Sequence, residues 1–488
     1  MSVTTADVAV NRFAVQESEI ELTSQEISVE HSNEHVIIES QKSPSSVSLN
    51  ETIIIDKQVA NEVEGYDPAN YPGDSNDLKS WLACIGSFFG LLPVFGFINS
   101  LGSIEAYISK NQLAGIESST ISWIFSLYLA ISFISTILTG SYFDRNGGLK
   151  PMIVGTCLYF AGMFGMASCT ELYQFIISFS IISGLGCGIC TTPLVSVVNT
   201  HFYVRRPLAN SINTLGGSLG GLIFPVTLKK LYSEVGFVWA VRIVSLFCLF
   251  CLIIATIFSR ENKKSSTIVK QEFASKKQLF KWYLSTCFNV KYLKDWKFLF
   301  AGFGVAFTEV SMTVSSTFFT SYAIFVGNSE NSSYLMTTII SAVGIVARLS
   351  QGLIAQRYGT YNVIIACAFT CVIWNFVFWL GFGSNSKLLW TYVILYGFSS
   401  SSIFSLTPVC IAKICTTSEF GRKYSTAYML QAVLTLPVFA ICGKIIGNGD
   451  QKINYDWFIV FSSCLMAAGT GCYLITRILC VGKRICIF

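Results

Sequence analysis

"GSYFDRNGG" (residues 140–148) and "GLIAQRYG" (residues 352–359) decide how this chain is read. Each closes a long apolar run, and the two stretches lie 212 positions apart. Gly140 then aligns with Gly352, Arg145 with Arg357 and Gly147 with Gly359, while Asp144 meets Gln356. A short charged turn repeated at that distance implies that something large has been doubled.

The composition says what. Of 488 residues, 52% are apolar and only 12% charged, and the mean hydropathy is +0.56. Soluble chains carry about 25% charged residues. So few charges cannot cover a water-facing surface of this size, which makes this a membrane protein. A bilayer-crossing helix needs about 20 predominantly apolar residues. Twelve segments qualify: 80–107, 119–142, 150–169, 172–196, 207–230, 236–258, 298–326, 333–355, 361–382, 387–410, 424–446 and 456–478. The quoted turns follow the second and the eighth. The longest polar connection between spans, 259–297, follows the sixth, so the plan is 6+6.

Other echoes recur at nearly the same offset, 215 to 217 positions. "TPLV" (192–195) closes the fourth span and "TPVC" (407–410) the tenth; Arg205-Arg206 precede the fifth and Arg422-Lys423 the eleventh. Parallel six-helix halves related by an axis along the membrane normal are the build of major facilitator transporters. The expected fold is therefore all-α, with two pseudo-symmetric six-helix halves at 79–258 and 298–479. They are joined by a basic central loop, 259–297, and followed by a short tail, 480–488.

Charge gives the orientation. Lys and Arg collect on the cytoplasmic side of membrane proteins. With the N-terminus inside, the inner loops and C-terminal tail hold twenty-one bases against six in the outer loops, so both termini are expected in the cytoplasm. Residues 1–78 hold fifteen acids against three bases. They lack aromatic residues in number and any sustained period, as expected of a disordered acidic tail. No signal-peptide pattern opens the chain, so the first span is expected to direct insertion. The plasma membrane is the expected location, with a vacuolar or other internal membrane as the alternative.

The charged turn has two readings. As a latch, Asp144 approaches a helix N-terminus and Arg145 meets helix C-termini or acids, Arg357 repeats the role, and Gly140 and Gly147 permit a tight path. The plainer reading is a tight turn that carries positive-inside charge.

Several stretches resemble the monocarboxylate-porter family of the major facilitator superfamily, its fungal members in particular. "GFINSLGSIEAY" (96–107) and "ISWIFSLYLA" (121–130) are similar to its first two spans. "HFYVRRPLANSINTLGGSLGGLIFP" (201–225) is similar to its fourth-to-fifth-span pattern. "VARLSQG" (346–352) and "EFGRKYSTAYML" (419–430) resemble its eighth and eleventh spans. The resemblance covers roughly 80–478. It implies a secondary transporter that moves a small organic solute, carboxylate-like or flavin-like, by alternating access, with protons as a candidate co-substrate. The chain also departs from the animal lactate carriers. Asn99 and Ser100 stand where those have a first-span lysine, and Gly344 stands one turn before Arg348 where they have an aspartate. In "YPGDSNDLKSW" (71–81) the family's acidic-glycine entry motif has its acids displaced.

Ionisable groups at bilayer depth usually face a cavity or a partner. Arg348 and Glu309 are the main substrate-binding candidates, either lining a cavity or forming a structural ion pair, and Glu105 is a third. A proton-coupled carrier would use Glu309 or Glu105 as its proton site. Asn99, Tyr322, Asn375 and Tyr396 are further lining candidates, as are Asn213, Trp374 and Gln431. Gly216, Gly217, Gly220 and Gly221 have the small-xxx-small spacing of close helix contact. Cys187/Cys190 and Cys248/Cys251 lie in apolar spans, which favours core packing over redox or zinc chemistry. No metal site, cofactor motif, nucleic-acid signal or enzyme motif is present, and no protein partner is identifiable; the lipid bilayer and a small solute are the expected partners. The competing function is a transporter-like solute sensor that signals through the acidic tail.

Overall fold

A computed structural model describes residues 70–262, 290–447, 451–482 and 488, together with 275, 277, 278, 282 and 283. The acidic tail before residue 70, most of the central loop and residues 483–487 lie outside the described residues, and so do the expectations made for them.

Among the described residues the regular structure is helical throughout. The spans are α1 (Leu78–Ile98), α2 (Ser118–Asn146), α3 (Leu149–Met166), α4 (Leu172–His201), α5 (206–235), α6 (237–258), α7 (Trp296–Phe325), α8 (Glu330–Tyr358), α9 (Thr360–Gly381), α10 (Ser386–Lys413), α11 (Phe420–Ile446) and α12 (Lys452–Val481). Two details differ from the sequence reading. The polar stretch 231–235 is helical, so α5 and α6 form one run, Arg206–Phe258, broken only at Gly236 with φ 75°. The first span is divided: α1 ends at Ile98, capped by Asn99, and helix resumes over Leu101–Lys110. Asn99 and Ser100 hold that break, Asn99 Nδ2 donating to the Gly217 carbonyl at 3.2 Å and Ser100 Oγ to that of Gly96 at 2.8 Å.

The halves repeat each other in packing as well as order. Helix α1 lies on α5 as α7 lies on α11, and α2 on α4 as α8 on α10. Between halves, α2 meets α11 and α5 meets α8. Large apolar side chains such as Phe250, Phe369 and Val433 point outward, more than half exposed. In water they would form an aggregating surface; in lipid they face a matching solvent. Prolines also recur at matched places inside helices, Pro193 of α4 with Pro408 of α10 and Pro225 of α5 with Pro437 of α11.

The glycine quartet of α5 brings helices together. A Cβ on Gly216 would lie 2.2 Å from the Phe88 carbonyl oxygen, and one on Gly220 2.4 Å from that of Leu92 and 2.6 Å from the Gly96 Cα. Gly217 abuts Phe95, and Gly221 lies against Asn99 and, across the seam, Ser341 of α8. Added side chains at such backbone contacts force helices apart, at about 1–3 kcal/mol or more. Gly220→Leu is therefore expected to cut the yield of monodisperse protein in detergent several-fold. Gly443→Leu, where a Cβ meets nothing within 4 Å, should leave it unchanged.

Candidate functional site: a polar cavity on the seam between the halves

The repeated turn ends both helices in the same way. Gly147 caps α2 with φ 82° and Gly359 caps α8 with φ 89°, a left-handed conformation that favours glycine. Gly140 and Gly352 serve a different purpose from the tight turn expected of Gly140. Both are helical and allow close approach: a Cβ on Gly140 would lie 2.4 Å from the Gly421 carbonyl of α11, and one on Gly352 2.3 Å from Ser211 Oγ of α5. The echo in the sequence is thus a pair of helix crossings, α2 on α11 and α8 on α5.

Asp144 holds the first crossing. It is 5% exposed, and its carboxylate accepts from the N–H of Gly421 (2.9 Å), the N–H of Arg422 (3.0 Å) and Arg422 Nε (3.1 Å). A carboxylate at the N-terminus of α11 meets free N–H groups and the positive end of the helix dipole. Arg145 lies over the Trp282 ring at 5.3 Å. Arg357 is exposed at the end of α8 and makes no ion pair among the described residues. Gln356 has no charge to copy Asp144, so the second crossing lacks the ionic clasp.

A second set of seam contacts was missed in the sequence. Asp74 accepts backbone N–H bonds from Tyr203, Val204 and Arg205, so the displaced acid of "YPGD" caps the approach to α5. The preceding Tyr71 hydroxyl reaches Thr417 Oγ1 of the other half at 2.8 Å, and Arg206 Nη2 donates to the same oxygen at 2.9 Å. Arg206, one of the basic pair that precedes the fifth span, is buried and lies over the Tyr203 ring at 4.7 Å. At the opposite end of the bundle, Lys110 pairs with Glu330 at 2.8 Å. That bond holds the Lys110 ammonium above its usual range, but both side chains are exposed and the pair is worth little.

Between these ends lies a cavity on the seam. Helix α1 gives it Phe95, Ile98 and the adjoining Asn99; α2 gives Phe133; α7, Glu309 and Thr313; α8, Arg348; α10, Phe404; and α11, Tyr428. Glu309 is fully buried and Arg348 is 4% exposed. They face one cavity without forming the direct ion pair that was one expectation. Glu309 Oε1 accepts from the Tyr428 hydroxyl at 3.0 Å, and its Oε2 has no hydrogen-bond partner among the described residues. Arg348 Nη1 donates to the Thr214 carbonyl across the seam, and its Nε is likewise unpartnered. Buried polar atoms without partners are uncommon in native folds and call for an explanation.

The other predicted residues lie elsewhere. Tyr322, Asn375 and Tyr396 do not line the cavity. Tyr322 and Tyr396 belong to an aromatic cluster of the C-terminal half, in which Tyr322 meets Trp379 edge-on and Tyr396 stacks on Tyr392 at 5.1 Å. Asn375 accepts from the Tyr392 hydroxyl at 3.1 Å in the same cluster. Glu105 is half-buried in the outer helix of the first span and accepts a hydrogen bond from Ser122. Asn213, Trp374 and Gln431 also lie outside the lining. Thr313 belongs to the hydroxyl-rich seventh-span stretch 311–325, whose composition suits a polar pore wall, and stands one turn after Glu309. Ile98, Phe404, Tyr428, Phe133 and Phe95 were not singled out.

Gly344 explains a departure from the lactate carriers. A Cβ there would lie 2.3 Å from Ser401 Oγ, so an aspartate has no room where α8 crosses α10.

A family model described as Major Facilitator Superfamily matches residues 81–438. The chain belongs to the Major Facilitator Superfamily. Within it, the chain is 38% identical over 414 residues to the riboflavin transporter MCH5 of Saccharomyces cerevisiae, covering 83% of this chain and 79% of that one. It is 29% identical over 424 residues to MFS-type transporter 1 of an Ophiocordyceps species, covering 85% and 88%. In fold it resembles the solved proton:xylose symporter XylE, with a TM-score of 0.60 at 12% identity over 80% of this chain and 94% of that one. This major facilitator protein is a multi-pass membrane transporter of a small solute. A sensor that signals through its tail finds no support among these relatives.

The cavity's free space is about 20 Å³, room for about one water. Sites for drug-sized ligands need roughly 300–1,000 Å³. The halves are therefore closed around the site, and an organic solute enters only when they part. A larger groove, about 530 Å³, lies on the outer surface between α11 and α12, where Trp457 is 63% exposed; apolar residues and Asn454 line most of it, and no charge enters it.

Proposed function

We propose that this transporter carries an electrically neutral, flat polar solute of the flavin type, with riboflavin as its substrate. The observation that carries the reading is the presence of one guanidinium and one carboxyl, each with a polar atom lacking a partner among the described residues, in a cavity walled by aromatic rings. Arg348 brings donors and Glu309 an acceptor to the same space, which suits a neutral molecule with both donors and acceptors. A monocarboxylate would satisfy Arg348 and offer Glu309 no donor. The 38% identity to a riboflavin transporter supports the same choice, and so does the absence of room for an acid at Gly344.

In this proposal the α2–α11 clasp and the Tyr71–Thr417–Arg206 contacts form the cytoplasmic gate. Both termini lie inside, as the distribution of Lys and Arg supports. The plasma membrane is the proposed location, and the monocarboxylate-porter family the proposed branch. Glu309 is the one carboxyl in the cavity wall, and proton coupling would pass through it.

The test is uptake of labelled riboflavin in cells that cannot make the vitamin and lack their own importer. Expression of this chain should give saturable uptake that excess unlabelled riboflavin suppresses and lactate does not. Uptake equal to that of empty-vector cells would sink the reading. Imposing an inward proton gradient on the same cells decides coupling: flux that ignores the gradient removes the proton from the cycle.

A further inference from the structure

The two orphaned atoms of the cavity are one acceptor, Glu309 Oε2, and one donor, Arg348 Nε. Each belongs to a side chain at least nine-tenths buried and lining the same space. A ligand that satisfies both presents a donor beside an acceptor on one edge. The remaining walls narrow the choice further, because Phe95 and Phe133 come from the N-terminal half and Phe404 and Tyr428 from the C-terminal half. Rings contributed from both sides of a seam suit a flat π-system that packs between them as the halves close.

We infer that the site recognises its substrate by the imide edge of a planar heteroaromatic ring. Glu309, as the carboxylate, accepts a hydrogen bond from the imide N–H, and Arg348 donates to a flanking carbonyl. In a flavin this edge is N3–H between the carbonyls at C2 and C4. The arrangement gives each orphaned atom one partner and leaves the ring faces to the aromatic walls. A simple aromatic ring would bury both orphans unpaired. A carboxylate would pair one, and a sugar would offer hydroxyls without the flat faces.

This inference rests on the flavin reading above, and the experiment separates the two. Competition for labelled riboflavin uptake is measured with lumiflavin, which keeps the ring and imide but lacks the ribityl chain, with N3-methylriboflavin, which lacks the imide proton, and with free ribitol. Lumiflavin is expected to compete within a few-fold of riboflavin and ribitol not at all. N3-methylriboflavin should compete at least about tenfold more weakly than riboflavin, the loss expected for a hydrogen bond to a charged, buried acceptor. In Glu309→Gln, whose amide oxygen is a weaker acceptor, the preference for riboflavin over its N3-methyl analogue should shrink. The analogue series on the unaltered protein decides the matter if that variant does not reach the membrane. Equal competition by riboflavin and its N3-methyl analogue would overturn the imide assignment while leaving riboflavin transport intact. Competition by ribitol without lumiflavin would overturn it in favour of recognition through the chain hydroxyls. Absence of riboflavin uptake altogether removes the flavin reading and this inference with it.

Discussion

Arg348→Ala is expected to lower the initial rate of solute uptake by about 10- to 100-fold while the protein still reaches the membrane. The magnitude follows from losing hydrogen bonds from a charged donor inside a buried site, about 1.5–3 kcal/mol. Arg348 is the cation of the cavity wall, and its Nη1 also ties α8 to the Thr214 carbonyl of the other half. Alanine removes both contacts and leaves Glu309 as an uncompensated buried carboxyl. Arg348→Lys should recover only part of the rate, because a lysine ammonium is a compact point charge and cannot reproduce the planar fork that reaches Thr214 and the cavity together. Surface labelling beside the uptake measurement separates lost binding from lost protein. Normal uptake by a surface-expressed Arg348→Ala would remove Arg348 from the site.

Asp144→Asn is the second large effect. The carboxylate satisfies two backbone N–H groups of α11 and the Arg422 side chain. An asparagine of the same shape turns a donor toward at least one of them and leaves Arg422 without its counter-charge. Breaking a buried pair costs about 3–5 kcal/mol; Arg422 keeps 18% side-chain exposure, which puts this case toward the low end. Because the clasp joins the halves, the loss acts on the closed state at this end, and uptake should fall with the amount of protein at the surface little changed. Asp144→Asn combined with Arg422→Gln should be no worse than Asp144→Asn alone, since the second change removes the stranded charge. Strictly additive defects would show that the two residues do not act as a unit.

The spans were legible because the bilayer demands long apolar runs whatever the packing. The repeat was legible because Gly140, Gly147, Gly352 and Gly359 hold positions where another residue would collide or strain the backbone. What escaped was which face of each helix meets the seam. Tyr322, Asn375 and Tyr396 have the polarity of pore-lining residues, yet their helices turn them into the aromatic cluster of their own half. Phe95, Phe133 and Phe404 look in sequence like any lipid-facing or core phenylalanine. Rotation about a helix axis is set by its neighbours, and composition carries no record of it. Depth was readable, so Glu309 and Arg348 were found; their separation across a cavity, instead of a direct pair, was not.

The matched prolines bear on how such a molecule changes shape. Each removes one backbone hydrogen bond and weakens its helix locally, and they occupy corresponding positions in the two halves, Pro193 with Pro408 and Pro225 with Pro437. An axis along the membrane normal carries one half onto the other without turning it over, so each matched pair weakens both halves at the same depth and toward the same face. Flexure at the paired sites then opens or seals one side of the pathway from both halves at once.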